Sequence, residues 1–366
     1  MRFADIRLVI GTRPEAIKLR PVARALSAHG VMPTLVLTGQ HALDPAEFRL
    51  AEFPRVTVDC PGQENPHAHV RAVTFALQPL LRDSPDLIIV QGDTSSALGA
   101  ALAAFTTGIP VAHVEAGLRT HDPMLPWPEE EYRAAIDADA DLLFAPTDLA
   151  AANLREEQVA GEIHVTGNTA VDSVVEVLAQ LPPRVSSERP SPQILVTCHR
   201  RESWRDGLGS IASAVAELGQ RAAVHVVLHP NRHVAATMRR LLDGSPGVTL
   251  LEPCSHQELL RRMRDADLLL SDSGGIQEEA PTLGVPLLVL RDKTERPEGV
   301  AAGNAILVGT DRDRIVAEAQ RLLDDPAARA AMSRRAFPFG DGRAGDRIAS
   351  IIVEWLQQRS LTRQLA

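Results

Sequence analysis

The chain of 366 residues has a mass of 39.5 kDa, which is more than one hydrophobic core usually supports, so two domains are expected. Its 38 basic and 47 acidic residues give a net charge of −9, and only 3% of its residues are aromatic. Nucleic-acid binders depend on basic grooves and aromatic platforms, and anionic membranes attract basic surfaces, so neither is an expected partner.

Short apolar runs alternate with alanine-rich helical segments in the first half of the chain. Continuous apolar strands separated by helices are typical of a parallel sheet covered on both faces. Strands are predicted at residues 7–10, 34–37, 87–90, 111–114, 142–145 and 164–166. Helices are predicted at residues 14–29, 70–81, 95–105, 129–140 and 169–181.

A proline-rich segment at 182–192 interrupts this alternation and is predicted to be the domain linker. The alternation resumes with strands at residues 194–197, 224–228, 248–250, 268–271, 287–290 and 305–307. We therefore predict an α/β protein with two doubly wound, Rossmann-like domains, 1–181 and 193–343, followed by a helical segment at 344–366 that can pack back on the first domain. A central cleft facing the carboxyl ends of both sets of strands is the expected ligand site.

The three cysteines lie far apart in the sequence, and none forms a Cys-x-x-Cys pair. This pattern argues against a disulfide framework or a thiolate metal site and fits a reducing compartment. Charged residues also occupy the N-terminus where a signal peptide would carry its apolar core. We therefore expect a cytoplasmic protein.

The first strand is followed by the segment GTRPEAIK (11–18), which predicts a helix N-terminus at a strand end. Free amides at such a terminus bind anions, and Arg13 and Lys18 would add positive charge. A capped helix with two surface cations is the alternative interpretation.

In the second half, the segment SDSGGIQEE (271–279) follows a predicted strand in the same way. Ser273, Gly274 and Gly275 would let a diphosphate approach the backbone closely. Glu279 lies further along the predicted helix, where its carboxylate could accept hydrogen bonds from ribose hydroxyls. We favour this functional interpretation over a structural turn, which needs one glycine at most.

Three carboxylates, Asp93, Glu115 and Glu129, lie at strand ends or in loops of the first domain. Proton exchange at a carbon needs carboxylates close together, because mutual repulsion keeps one protonated while another is ionised. A single Asp or Glu is more commonly a helix cap or a solvated loop residue. Together they favour an acid–base site.

Histidines offer a partner for this site but no metal centre. His199 follows the strand at 194–197, from which it could bind phosphate or move a proton. His225, His229 and His233 have a spacing that suits zinc on a helix, but Pro230 and the strand pattern exclude that helix. We predict neither metal nor cofactor, and we assign His229 and Asn231 to substrate binding.

Nine segments, in order over essentially the whole chain, make it similar to the bacterial non-hydrolysing UDP-N-acetylglucosamine 2-epimerases. The resemblance implies a glycosyltransferase-B type fold, a homodimer, and interconversion of UDP-GlcNAc and UDP-ManNAc without metal or nicotinamide. The segments are GTRPEAIK (11–18), GQH (39–41), QGDT (91–94), HVEAGLRT (113–120), PWPEE (126–130), GNT (167–169), HRRE (199–202), SDSGGIQEEAP (271–281) and TERPE (294–298).

The same resemblance implies residue roles. Asp93, Glu115 and Glu129 would form the acid–base set, with His199 as their partner near the diphosphate. The substrate-binding residues implied by the motifs are Arg13, Lys18, Ser273, Gly274, Gly275, Glu279 and Arg296.

The sequence departs from the family pattern at two sites. His256 and Leu259 stand where the family usually carries aromatic residues near the uracil, which leaves phosphate and ribose as the expected main contacts. Ala42, Leu43 and Ala72 stand where the family carries residues of a second, activating UDP-GlcNAc site. Substrate activation is therefore expected to be weak or absent.

Three other functions remain open from the sequence. A hydrolysing 2-epimerase would release UDP and ManNAc, and a glycosyltransferase of the same fold would transfer the sugar. A non-catalytic nucleotide-sugar-binding protein would have no need of the carboxylates. The full carboxylate set and the retained Arg296 favour the non-hydrolysing epimerase.

Overall fold

The computed structural model describes residues 4–182, 191–198 and 207–365. The chain divides into two compact units, Met1–Ser173 with Phe339–Ala366, and Val174–Pro338. Each unit is built on a parallel β-sheet, so the predicted pair of doubly wound α/β domains is confirmed. The predicted linker at 182–192 lies mostly outside the described residues.

Over the described residues, the first unit contains a seven-stranded parallel sheet with the strand order β3-β2-β1-β4-β5-β6-β7. The order reverses between β1 and β4, and the crevice at such a reversal is where open α/β sheets bind ligands. The strands are β1 Ile6–Ile10, β2 Thr34–Leu37, β3 Arg55–Thr57, β4 Leu87–Gln91, β5 Val111–Val114, β6 Leu142–Ala145 and β7 Glu162–Val165.

Helices connect these strands and cover both faces of the sheet. Short 3₁₀ turns at Pro45–Phe48 and Gln78–Leu81 complete the connections. The α-helices are α1 Arg13–Ala28, α2 Pro66–Leu77, α3 Ser95–Thr107, α4 Glu129–Asp139, α5 Asp148–Glu156 and α6 Thr169–Gln180, which runs into the second unit.

The described part of the second unit repeats this plan with six strands in the order β10-β9-β8-β11-β12-β13. Its strands are β8 Gln193–Thr197, β9 Ala223–Val227, β10 Val248–Leu251, β11 Leu268–Ser271, β12 Leu287–Val289 and β13 Ala305–Leu307. Its helices are α7 Gly207–Leu218, α8 Arg232–Leu242, α9 His256–Asp265, α10 Gly274–Leu283, α11 Pro297–Ala301, α12 Arg312–Asp324 and α13 Pro326–Met332.

The apolar strands of the first sheet send alternate residues into cores on opposite faces. On β1, Leu8 and Ile10 join one buried cluster, whereas Val9 joins the other. Such strands read as continuous apolar runs because neither face meets water. The prediction that the sheet is covered on both faces is confirmed.

The last helix, α14 Ala344–Leu365, belongs to the first unit and packs against α1. A Cβ atom at Gly345 would lie 2.8 Å from the backbone of Pro21, so this close approach requires glycine. This helix lies within the segment 344–366 that was predicted to be helical.

Several local predictions differ from the structure, and α5 Asp148–Glu156 was not among the predicted helices. Strand β3 was missed because all three of its residues are exposed and it carries no apolar run. Helix α2 begins at Pro66, four residues before the predicted start, because Asn65 accepts a hydrogen bond from the Ala68 backbone and caps it.

Candidate active site

In the first unit, the turns that follow β1 and β4 are joined by one buried carboxylate. Glu15 Oε2 accepts hydrogen bonds from the backbone amides of Gly11 at 2.8 Å and Thr12 at 2.5 Å, and Oε1 accepts from Thr94 Oγ1 at 2.6 Å. Burial raises the pKa of Glu15 to about 7, although these hydrogen bonds oppose the rise. Glu15 thus ties the start of α1 to the turn that carries Asp93.

Glu115 follows β5 and is held by a cation and an amide. Its Oε2 atom accepts from Lys18 Nζ at 2.5 Å and from Gln91 Nε2 at 2.6 Å. Lys18 is itself buried, so the structure places this predicted phosphate ligand against a predicted acid–base residue. The ammonium group stabilises negative charge on Glu115.

Asp93 follows β4, the strand next to β5, and is held by Arg133 of α4. The same guanidinium donates to Glu130 Oε2 at 3.0 Å. Glu130 Oε1 in turn accepts from the backbone amides of Thr120 at 2.8 Å and His121 at 2.9 Å. One buried arginine therefore fixes Asp93 relative to α4 and to the loop before it.

Arg133 is a site residue that the sequence reasoning missed. It is among the largest fully buried side chains, which is rare for arginine unless it is paired. The available signal was its spacing, since it follows Glu129 by four residues and Glu130 by three on a predicted helix.

Glu129 is the first residue of α4, at the positive end of the helix dipole, and is partly exposed. Because Arg133 links α4 to Asp93, and β4 neighbours β5, the structure brings Asp93, Glu115 and Glu129 to the same edge of the first sheet. Carboxylates gathered at one sheet edge are able to exchange protons with a bound molecule.

Arg13 lies at the start of α1 and remains accessible. Its guanidinium is 3.2 Å from Glu47 Oε2 and stacks 5.4 Å above the Phe48 ring, while 40% of the side chain is exposed. Arg13 is therefore more accessible to an anion than Lys18 is.

In the second unit, β11 leads into α10 through the predicted diphosphate loop. Ser273 occupies the N-cap position, and within the described part of the chain its hydroxyl does not cap the helix. The amides of the first turn point toward the edge of the sheet at its strand-order reversal, which is a suitable environment for phosphate.

The two glycines of this loop have different surroundings. A Cβ atom at Gly274 would lie 2.8 Å from a guanidinium nitrogen of Arg296, whereas at Gly275 its nearest described neighbour would be Ser273 Oγ at 3.9 Å. Gly274 is therefore explained by the approach of Arg296. Gly275 is the position that leaves space for a ligand.

Arg296 is buried and paired with two carboxylates. It donates from Nε to Glu278 Oε1 at 2.5 Å and from a terminal nitrogen to Glu295. The guanidinium is thus fixed over the first turn of α10, which limits its freedom to follow a moving ligand.

Glu279 points to a different partner, His256 at the start of α9. His256 Nε2 lies 2.6 Å from Glu279 Oε1 and donates to it, because the carboxylate can only accept. His256, which stands in place of a family aromatic residue, therefore orients Glu279, the residue predicted to bind the ribose. Leu259 packs against the core of this unit.

His229 and Asn231 lie in the turn between β9 and α8. The Asn231 backbone amide donates to His229 Nδ1 at 2.9 Å, and Asn231 Oδ1 caps α8 by accepting from the amide of His233 at 2.9 Å. Since His225 lies on β9 and His233 on α8, the three spaced histidines share no helix, as predicted. His199, the predicted partner of the carboxylates, lies outside the described residues.

The described residues contain neither a metal-binding cluster nor a membrane-spanning helix. No group of three or more His, Cys, Asp or Glu side chains there could hold a metal ion. None of the helices in that part of the chain is long and apolar enough to cross a membrane.

A sequence profile of the family described as UDP-N-acetylglucosamine 2-epimerase matches residues 24–353. The chain is 41% identical to UDP-N-acetylglucosamine 2-epimerase of Escherichia coli K12, over 93% of this chain and 96% of that protein. It is also 41% identical to the enzyme of the same name from Salmonella typhimurium, over 95% and 98% of the two chains.

Solved structures give the same result. The crystal structure of UDP-GlcNAc 2-epimerase from Neisseria meningitidis bound to UDP-GlcNAc superposes with a TM-score of 0.90 at 35% identity, covering 96% of this chain and 100% of that one. A co-structure of Staphylococcus aureus MnaA with UDP has a TM-score of 0.87 at 34% identity, covering 97% of each chain.

Proposed function

Because this chain belongs to the UDP-N-acetylglucosamine 2-epimerase family, we propose that it interconverts UDP-GlcNAc and UDP-ManNAc without releasing the free sugar. Membership of the family, predicted from nine sequence motifs, is confirmed by the profile match and by full-length relatives. The chain is accordingly an isomerase by class.

The chemistry explains why carboxylates are needed. No carbonyl activates the C2–H bond of the sugar, so direct removal of that proton is difficult. In the proposed reaction a carboxylate takes the C2 proton while the C1–O bond breaks and UDP leaves with the bonding electrons, giving 2-acetamidoglucal. A carboxylic acid then returns a proton to the opposite face of C2 as a UDP oxygen bonds to C1 again.

The observation that carries this proposal is the group of carboxylates at one edge of the first sheet. Asp93 and Glu115 follow neighbouring strands, and each is held by a buried cation. We assign Asp93, Glu115 and Glu129 to the two proton transfers as a set. His199 is proposed as their partner near the diphosphate.

We assign UDP binding chiefly to the second unit. The first turn of α10, with Ser273, Gly274 and Gly275, suits the diphosphate. Glu279, oriented by His256, suits the ribose hydroxyls. Arg13, Lys18, His229, Asn231 and Arg296 complete the proposed binding set. Retention of UDP is essential, since its escape would end the cycle.

A homodimer that needs neither metal nor nicotinamide is part of the same proposal, and it rests on the family resemblance. Activity should therefore survive prolonged treatment with a chelator. The proposed substrate is the UDP-linked N-acetylhexosamine that the related crystal structure binds.

Product analysis tests the function. Purified protein is incubated with UDP-GlcNAc, and the mixture is followed by proton and phosphorus NMR, with Asp93→Asn as the matched inactive variant. We expect UDP-ManNAc to accumulate to equilibrium while free UDP stays negligible. Stoichiometric ManNAc and UDP would instead establish a hydrolysing 2-epimerase. No change with the unmodified protein would support transfer or binding alone.

A further inference from the structure

A buried charged chain lies directly behind the strand ends that carry Asp93 and Glu115. Its innermost members, His113 on β5 and Asp137 on α4, have no exposed surface, and Arg119 is nearly as buried. The proton transfers proposed above use none of these three side chains.

Hydrogen bonds fix the proton positions on His113. Its Nε2 atom is 2.8 Å from the Gly92 carbonyl oxygen, which can only accept, so Nε2 carries a hydrogen. Its Nδ1 atom is 2.6 Å from Asp137 Oδ1. Whether Nδ1 donates the hydrogen of this second bond depends on whether Asp137 is ionised.

Asp137 is surrounded by donors. Its Oδ2 atom accepts from the Gly117 backbone amide at 3.0 Å and from Arg119 at 2.8 Å. Burial alone would raise the pKa of Asp137, but His113 and Arg119 outweigh it and the pKa is lowered. Asp137 is therefore a carboxylate, which can only accept, so His113 donates to it from Nδ1 as it donates to Gly92 from Nε2.

This hydrogen-bonded pair holds the backbone of both catalytic turns. Gly92 immediately precedes Asp93, and Gly117 follows Glu115 by two residues. Glu115 has a left-handed backbone with φ of 72°, which is costly for a residue other than glycine and persists only where neighbours enforce it. Hydrogen bonds from the Glu115 and Ala116 amides to the Phe144 carbonyl, together with the Gly117–Asp137 bond, provide that enforcement.

The hydrogen-bonded set continues beyond Asp137. Arg119 donates on its far side to Glu157 through two bonds of 2.7 and 2.6 Å, so the set runs from His113 through Asp137 and Arg119 to Glu157. Removing one member of such a buried set leaves a charge uncompensated, which is more costly than the net stabilisation that the set provides.

We propose that His113 and Asp137 are positioning residues that set the separation of Asp93 and Glu115 through the Gly92 carbonyl and the Gly117 amide. The inference rests on the proposed epimerase function, because it assumes that these two carboxylates exchange protons with the sugar. Neither residue touches the substrate in this account.

The kinetic test uses His113→Gln, which can donate to Gly92 but cannot also donate to Asp137, and Asp137→Asn, which loses the carboxylate. The control is His225→Gln, another strand histidine bonded to a side chain, at 2.6 Å from Gln193. We expect kcat to fall by about 100-fold in both test variants, as for other misplaced catalytic groups, while KM and UDP affinity change by less than about threefold. The control should retain the activity of the unmodified protein.

Kinetic outcomes that overturn the proposal are a kcat within twofold of the original in the test variants, or a parallel loss of UDP affinity that indicates general unfolding. Failure of the proposed function itself is distinguishable, because the unmodified protein would then produce no UDP-ManNAc.

A second measurement needs no variant to be active. Selective ¹⁵N labelling of histidine in the unmodified protein reports whether each ring nitrogen carries a hydrogen, and the His113 signal is assigned through its short-range contacts with Gly92. We expect Nε2 of His113 to carry a hydrogen that is protected from solvent exchange by its bond to the Gly92 carbonyl. An Nε2 atom without a hydrogen would remove that bond and overturn the proposal, even if His113→Gln fails to fold.

Discussion

At the residue scale, the central feature is a set of carboxylates whose partners are buried cations. Their presence was predictable, since Asp93 and Glu115 directly follow apolar strands and such residues reach the edge of a parallel sheet. Their partners were not. Arg133 reaches Asp93 only because α4 packs against α3 and β5, and His256 reaches Glu279 only because α9 neighbours α10.

Arg133 provides the first test at this scale. In Arg133→Gln, Asp93 loses its charged donor and Glu130 stays buried with fewer partners. We expect kcat to fall by about 100-fold and the free energy of unfolding to fall by about 3 kcal/mol. Steady-state kinetics and urea unfolding measure the two effects. An unchanged kcat would show that Asp93 needs no such support.

The raised pKa of Glu15 provides a second test, because it makes stability depend on pH. Its pKa is raised from 4.5 to about 7 in the folded protein, mainly by burial, so the folded state binds the proton more tightly than the unfolded state. The resulting stabilisation is fully present below pH 4.5 and is lost as the pH rises to 7.

Glu15→Gln removes this titration while keeping the side-chain shape. Relative to the unmodified protein, the variant should gain up to about 3 kcal/mol of stability between acidic and neutral pH. Urea unfolding of both proteins at a series of pH values measures the difference between their free energies of unfolding. The contributions of the other titrating groups cancel in this difference. A difference independent of pH would contradict the raised pKa.

At the element scale, the apolar strands and amphipathic helices were predictable because burial on both faces imposes continuous apolar runs. Strand β3 was not, because an exposed edge strand carries no such run. The loop before α10 was predicted as a glycine-rich phosphate site, but the sequence could not show that Gly274 makes room for Arg296, which comes from a distant turn.

The two glycines at the start of α10 form a matched pair for a test. Gly274→Ala places a methyl group 2.8 Å from an Arg296 nitrogen that two carboxylates hold in place, so we expect a loss of about 1–3 kcal/mol. Among the described residues, the methyl group of Gly275→Ala would have no neighbour closer than 3.9 Å, so this variant should change stability by less than about 1 kcal/mol, with a gain from helix propensity. Thermal unfolding compares them, and equal losses would contradict the account of Gly274.

At the scale of the whole molecule, the two-unit α/β architecture was predictable from chain length and from the alternation of strands and helices, and the motifs identified the family. The scarcity of aromatic residues also has a particular location in the fold. His256 stands where the family resemblance implies a ring near the base, and it binds Glu279 instead. We therefore propose that ribose and phosphate contacts carry more of the nucleotide affinity.

Substrate saturation tests the predicted loss of activation. Ala42 is exposed and Ala72 packs beside the first core, and neither side chain can hydrogen-bond to a second UDP-GlcNAc. Initial rates against UDP-GlcNAc concentration should therefore fit a hyperbola with a Hill coefficient of about 1. Pronounced sigmoidicity would show that an activating second site is retained.

The most direct test of the proposed chemistry is the fate of the hydrogen at C2. UDP-GlcNAc is incubated with the protein in heavy water, and both UDP-sugars are analysed by proton NMR and mass spectrometry. Proton removal and return by the carboxylates predicts solvent deuterium at C2 of the UDP-ManNAc that forms and of the recovered UDP-GlcNAc. UDP-ManNAc that keeps the original hydrogen at C2 would contradict it.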